Sequence, residues 1–186
     1  MRGEVEMSEC GLILVNTGNG KGKTTAALGV VLRAVGQGLK VLILQFIKSG
    51  NGYGELEGLK RLGDAVTIKS MGKGFIYYKR DEVSPEELKK HKTAAQEAWQ
   101  TLVDEVNSDK WDLIVMDEIN NAINYNLISV DEVVHMLRNK PKRLHLILTG
   151  RYAKPEIIDL ADTVTEMNVV KHAYQNGIRA AKGIEF

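Results

Sequence analysis

The sequence predicts an α/β protein, a mostly parallel sheet flanked by helices on both faces, and three observations carry that prediction. Short β-branched or leucine-rich runs alternate along the chain with longer amphipathic stretches, the pattern of strands joined by helical crossovers. Four of those runs are apolar at consecutive positions rather than at every second one, as strands covered on both faces are. The first run leads through a glycine-rich loop, TGNGKGKTT at residues 17–25, into a helix, which is the context of a phosphate-binding turn.

The first strand is LILVN at 12–16, and the loop and its helix follow. VLILQF at 41–46 is the second strand, AVTIKS at 65–70 the third. The glycine-dense segment 49–58, SGNGYGELEG, and the stretch 72–83, GKGFIYYKRDEV, fit neither the helix nor the strand period and read as loops. Both follow a strand. Ligands of open parallel sheets bind at the carboxyl ends of the strands, so both loops are expected to rim the site. SPEE at 84–87 then starts a long helix, with Ser84 at the N-cap, Pro85 at the first helical position and Glu87 where a capping box needs it. Leu88, His91, Ala95, Trp99, Leu102, Val103 and Val106 mark the face it turns to the sheet. DLIVMDE at 112–118 is the next strand; SVDE at 129–132 caps a helix carrying Val133, Val134 and Leu137; LHLILTG at 144–150 and DTVTEMN at 162–168 complete the set.

A chain of 186 residues, 44% hydrophobic and 26% charged, has the size of one domain with a proper core. With 25 basic against 24 acidic residues, no global field draws it to nucleic acid or an anionic membrane. Acids stand in MRGEVEMSEC where a secretory leader is basic, and the longest apolar runs are strand-sized rather than membrane-sized. Cys10 is the lone cysteine, which leaves no disulfide within the chain and no thiolate metal cluster. A cytoplasmic protein that binds neither membrane nor nucleic acid is the expectation.

In the loop, glycines 18, 20 and 22 allow successive N–H groups to face inward as an anion nest, reinforced by the following helix N-terminus. Lys23 supplies a point charge to distal phosphates, and the Thr24 hydroxyl is a magnesium ligand by type and position. The usual spacing would place glycine at position 17, where this chain has Thr17. A second element fits the first: the strand DLIVMDE ends in Asp117-Glu118, the acidic partner that meets magnesium directly or through water. Together they indicate a nucleoside triphosphate with magnesium. They do not say which bond breaks, because departure of γ-phosphate and departure of the whole triphosphate both load charge onto phosphate oxygens.

Beyond the loop, VNTGNGKGKTTAALG…RAVGQG, VLILQFIK, VMDEIN, LILTGR, LADTVTEM and VKHAYQNGIRAAKGIEF resemble, in order and across nearly the whole chain, the ATP:corrinoid adenosyltransferases of cobalamin biosynthesis. Threonine in place of the first glycine is that family's own form of the loop. The resemblance implies a RecA-like P-loop fold and transfer of the 5′-deoxyadenosyl group of ATP to Co(I) of a reduced corrinoid, with triphosphate leaving. By match, Gly18, Asn19, Gly20, Lys21, Gly22, Lys23, Thr24 and Thr25 hold the nucleotide, and Thr24 with Glu118 or Asp117 holds Mg2+. Arg33 and Arg151 are candidates for shaping the nucleotide pocket. An electron-donating reductase such as a flavodoxin and a homodimer are the partners implied.

Family members favour Co(I) by stripping the corrinoid's lower axial ligand with aromatic side chains. In GFIYY, Phe75 aligns with the family's phenylalanine, while Tyr77 stands where tryptophan is expected; with Lys23 these are the catalytic candidates. Ahead of the first strand, residues 1–10 are read as a short flexible arm where better-known members have a longer one closing over the partner's site. Residues 170–186 are expected as a tail over the site of this single domain, with Lys171 and His172 as possible contacts to corrin amides or phosphate. His91 and His135 on helices and the run KKHK at 89–92 read as structural or solvated.

Two other readings stay open at this point. A P-loop ATPase or small-molecule kinase would act at the γ-phosphate, with Arg151 as the residue recruited to it. A nucleotide-dependent corrinoid carrier would bind without turnover.

Overall fold

Six parallel strands form one sheet in the computed structural model, which describes residues 10–48, 53–74 and 84–185. They are β1 (Ile13–Thr17), β2 (Val41–Gln45), β3 (Val66–Ser70), β4 (Leu113–Asp117), β5 (His145–Thr149) and β6 (Thr163–Glu166), in the order β3-β2-β4-β5-β1-β6. The expected α/β class is the one observed, and the four doubly apolar runs are the four inner strands. Every residue of β2 and β4 is buried, whereas edge strand β6 is exposed throughout.

The helices divide between the two faces as the strand residues alternate. On one face α1 (Lys23–Gly36) buries Ala27, Val31 and Ala34 against Val41, Ile43, Val115 and Ile147, joined by Leu59 of α2 (Gly54–Lys60). On the other, α3 (Pro85–Val106), α4 (Ile119–Asn124), α5 (Val130–Asn139) and α6 (Pro155–Ile158) cover Leu42, Leu44, Ile114, Met116, Leu146 and Leu148. Each such side chain contributes about 1.5–3 kcal/mol by leaving water. The SVDE signal forms a complete capping box, with Ser129 and Glu132 satisfying each other's backbone. At Ser84 the hydroxyl accepts from the Glu87 N–H at 3.1 Å.

Two expectations need correction. The segment 49–58 is not loop throughout, because α2 starts at Gly54. Its glycines mask a three-residue spacing that buries Leu56 and Leu59, and Glu55 and Glu57 sit in the first turn, where the helix dipole favours them. The apolar face of α3 also begins later than Leu88, which is 39% exposed; the first buried residue is Ala94. A helix of that length runs about 33 Å over strands of about 17 Å, so one end must overhang the sheet. The stretch 75–83 and residues 1–9 lie outside the described residues, so the aromatic loop with Phe75 and Tyr77 and most of the N-terminal arm do as well.

Candidate active site

The carboxyl ends of β1, β4 and β5 come together at the phosphate loop. β5 lies between the loop strand and the acidic strand. Asn16 at the end of β1 donates from Nδ2 to the Lys23 carbonyl at 3.2 Å, tying the two ends of the loop. Gly22, at φ 112°, turns the chain into α1.

Gly18 and Gly20 are required for a reason the sequence did not show. A Cβ on Gly18 would meet the Met167 carbonyl oxygen at 2.4 Å, and one on Gly20 would meet it at 2.6 Å. The chain leaving β6 therefore lies directly on the loop, joined by hydrogen bonds from the Gly20 N–H to the Met167 oxygen (2.6 Å) and from the Met167 N–H to the Thr17 oxygen (2.9 Å). The Gly20 N–H faces Met167 here rather than an anion.

Asp117 is wholly buried, and its carboxylate is saturated. Oδ1 accepts from the hydroxyls of Thr24 (2.7 Å) and Thr149 (2.8 Å). Oδ2 accepts from Gln45 Nε2 at 3.1 Å and lies 3.3 Å from the Lys48 ammonium. Three hydrogen bonds and one ion pair thus commit both carboxylate oxygens. Ser70 extends the chain by donating to Gln45 Oε1 at 2.6 Å. Because the Thr24 hydroxyl spends its proton on Asp117, its lone pairs remain for a cation.

Glu118 has the opposite character. It sits at the N-cap of α4 with φ 64°, a left-handed conformation that costs a non-glycine residue roughly 1–3 kcal/mol. Its N–H donates to Thr149 Oγ1 at 2.9 Å, and its Oε2 is buried with no hydrogen-bond partner. Burial and the adjacent Asp117 push its carboxyl up to about 7, against the pull of Lys48, Lys23 and Arg151. The Lys23 ammonium donates to the Gly20 carbonyl; burial, then Arg151, lowers its pKa, with Glu118 opposing.

A cleft of about 1040 Å3 opens over these groups. Of the candidates from sequence, Asn19, Gly20, Lys21, Gly22, Lys23, Thr24, Thr25, Glu118 and Arg151 are brought together there. Gly18 lies behind the loop under Met167, Asp117 beneath the floor, and Arg33 stands exposed in the last turn of α1, away from the cleft. One wall is formed by Lys48, Tyr53, Gly54 and Glu55, and another by the C-terminal stretch, including Val169, His172, Tyr174, Gln175 and Ile184. Lys21 holds that stretch, its ammonium 2.8 Å from the Ile184 oxygen and 2.8 Å from Glu185 Oε1. His172 caps a short turn, accepting from the Tyr174 N–H at 3.2 Å. The sequence reading missed Lys48, although the run VLILQFIK ends on it.

The donor set fits magnesium. Among the described residues no cluster of three His, Cys, Asp or Glu could hold a metal by protein groups alone. One hydroxyl, one unpartnered carboxylate oxygen and substrate phosphates are what Mg2+ takes in such sites.

A family model described as ATP:corrinoid adenosyltransferase BtuR/CobO/CobP matches residues 9–186. A protein of Sinorhizobium sp named corrinoid adenosyltransferase is 39% identical over 180 residues, covering 96% of this chain and 81% of that protein. One of the same name from Pseudomonas aeruginosa is 39% identical over 178 residues, with coverage of 96% and 85%. Another from Escherichia coli K12 is 38% identical over 178 residues, with coverage of 96% and 87%.

Proposed function

Since this chain belongs to the family of ATP:corrinoid adenosyltransferases, we propose that it transfers the 5′-deoxyadenosyl group of ATP to the cobalt of a reduced corrinoid. The observation that supports this best is the place of the C-terminal stretch. The family match runs through it, and its residues line the same cleft as the phosphate loop, a wall that water attack at a γ-phosphate does not call for.

In this reading the electron pair of Co(I) attacks C5′, and the C5′–O bond breaks with its electrons leaving on triphosphate. No proton moves, so no general base is needed, and the site's work is alignment and exclusion of water. Lys23 and the N–H groups at the start of α1 stabilise the charge that grows on the departing oxygens. Thr24 and Glu118 hold magnesium, which when bound neutralises part of the triphosphate charge. Asp117 orients Thr24 instead of ligating, because both its oxygens are committed to three hydrogen bonds and the Lys48 ion pair. Arg151 reaches the phosphates from β5. Phe75 and Tyr77, which lie outside the described residues, are the aromatic candidates for displacing the corrinoid's lower axial ligand. A flavodoxin-like electron donor, a homodimeric assembly and a cytoplasmic setting belong to the same reading; among the described residues no helix is long and apolar enough to cross a membrane.

The test follows the fate of ATP under anaerobic, strongly reducing conditions with magnesium and cobalamin. A light-sensitive cobalt–carbon product formed in step with intact triphosphate is expected. ADP and orthophosphate, formed with or without corrinoid, would overturn the proposal in favour of γ-phosphoryl chemistry.

A further inference from the structure

Lys48 is not called for by phosphate-loop chemistry, yet it is built into the wall of the cleft. Its side chain is 8% exposed, with the ammonium 3.3 Å from Asp117 Oδ2 and 3.1 Å from Glu55 Oε1. The Tyr53 ring covers it, its centroid 5.0 Å from the nitrogen. Burial works against the charge, but Asp117 and then Glu55 outweigh it and raise the lysine pKa. The cation is committed to two acids that belong to different parts of the site. Asp117 ends β4 and holds Thr24 through its other oxygen. Glu55 lies in the first turn of α2, and with Tyr53 and Gly54 it forms the wall beside the loop.

An apolar contact would hold α2 to the sheet without taking a charge out of water. What an ion pair adds is a fixed distance and direction. We propose that Lys48 is a positioning residue for adenosyl transfer: its ammonium ties the Asp117–Thr24 pair, which sets the nucleotide, to the 53–55 wall, against which the corrinoid approaches. One side chain thereby sets the spacing between the two substrates. The inference rests on the adenosyltransferase reading above.

Three variants separate the two ends of the tie. Glu55→Gln weakens the wall end and leaves Asp117 its partner; Lys48→Met removes both ends; Lys48→Arg keeps the charge. ATP binding is measured by calorimetry without corrinoid. The cob(I)alamin KM and kcat are measured on enzyme shown to be folded by its melting curve. Glu55→Gln is expected to raise the corrinoid KM, lower kcat or both by about tenfold, with ATP affinity within about twofold of wild type. Lys48→Met is expected to lose ATP affinity as well, and Lys48→Arg to recover it. If Glu55→Gln matches wild type in corrinoid KM and kcat, the wall end does no positioning and the proposal is overturned. It is equally overturned if Glu55→Gln weakens ATP as much as Lys48→Met does, because the wall then belongs to the nucleotide site. A wild-type enzyme that forms no cobalt–carbon product would instead sink the adenosyltransferase reading, and the tie with it.

Discussion

Replacing Glu118 by glutamine tests the electrostatic character of the site without substrate. The native carboxyl titrates at about 7 against an ordinary value of 4.5. Between those values the folded state binds the proton more tightly than the unfolded chain. The wild-type protein therefore loses stability as pH rises through that window, and the loss is complete above the native pKa. Integrated from about pH 5 to about pH 8, this one group costs about 2.5 kcal/mol. Glutamine fills the same volume and does not titrate. The variant should therefore gain on wild type by that amount over the window, which for a chain of this size is roughly 5–10 °C in Tm. The assay is thermal unfolding of both proteins at the two pH values with chelator and without nucleotide. Taking the variant-minus-wild-type difference cancels every other titrating group. A difference independent of pH would refute the reasoning, since it would mean that Glu118 binds its proton no more tightly in the folded protein than in the unfolded chain.

Three other outcomes follow from the geometry. With magnesium present, Glu118→Gln should lose most of the Mg2+-dependent part of ATP binding while keeping the metal-independent part, measured by calorimetry with and without chelator. Asp117→Asn leaves the Lys48 ammonium short of a charge partner and places an amide among four donors, and it should cost about 3–5 kcal/mol in urea unfolding; a loss under 1 kcal/mol would contradict the network, since that is the scale of an exposed pair. Gly20→Ala pushes a methyl toward the Met167 carbonyl and should cost about 1–3 kcal/mol, with faster exchange of the residue-20 amide than in wild type; an unchanged Tm would show that the 166–168 segment does not lie on the loop.

The strands could be read because burial on both faces leaves continuous apolar runs, and the loop because its glycines, lysine and threonine sit within a few residues of one another. Asp117 and Glu118 were visible as a pair, but their division of labour was not. It depends on β2 pairing Gln45 with Asp117 and on Thr149 arriving from β5, contacts made across 72 and 32 residues. Lys48 was hidden for the same reason. A lysine just before a glycine-rich stretch looks solvated until the sheet brings Asp117 beneath it. Segment 49–58 misled through composition, because glycine lowers helix propensity without abolishing it, and Leu56 and Leu59 found a surface to cover.

The placement of β1 between β5 and β6 also bears on how the protein is made. Ile13 pairs with Leu146, and Val15 with Val164, so among the described strands the one made before the others has no neighbour until the chain has grown to Leu146. At cellular elongation rates of about 5–20 residues per second, it waits roughly 7–27 s for Leu146. Through that interval an apolar strand stands unpaired, the circumstance in which holdase chaperones act, and the nucleotide loop has no floor. A nucleotide site built on the β1 loop therefore waits for β5 and β6, the strands that flank a segment synthesised before them.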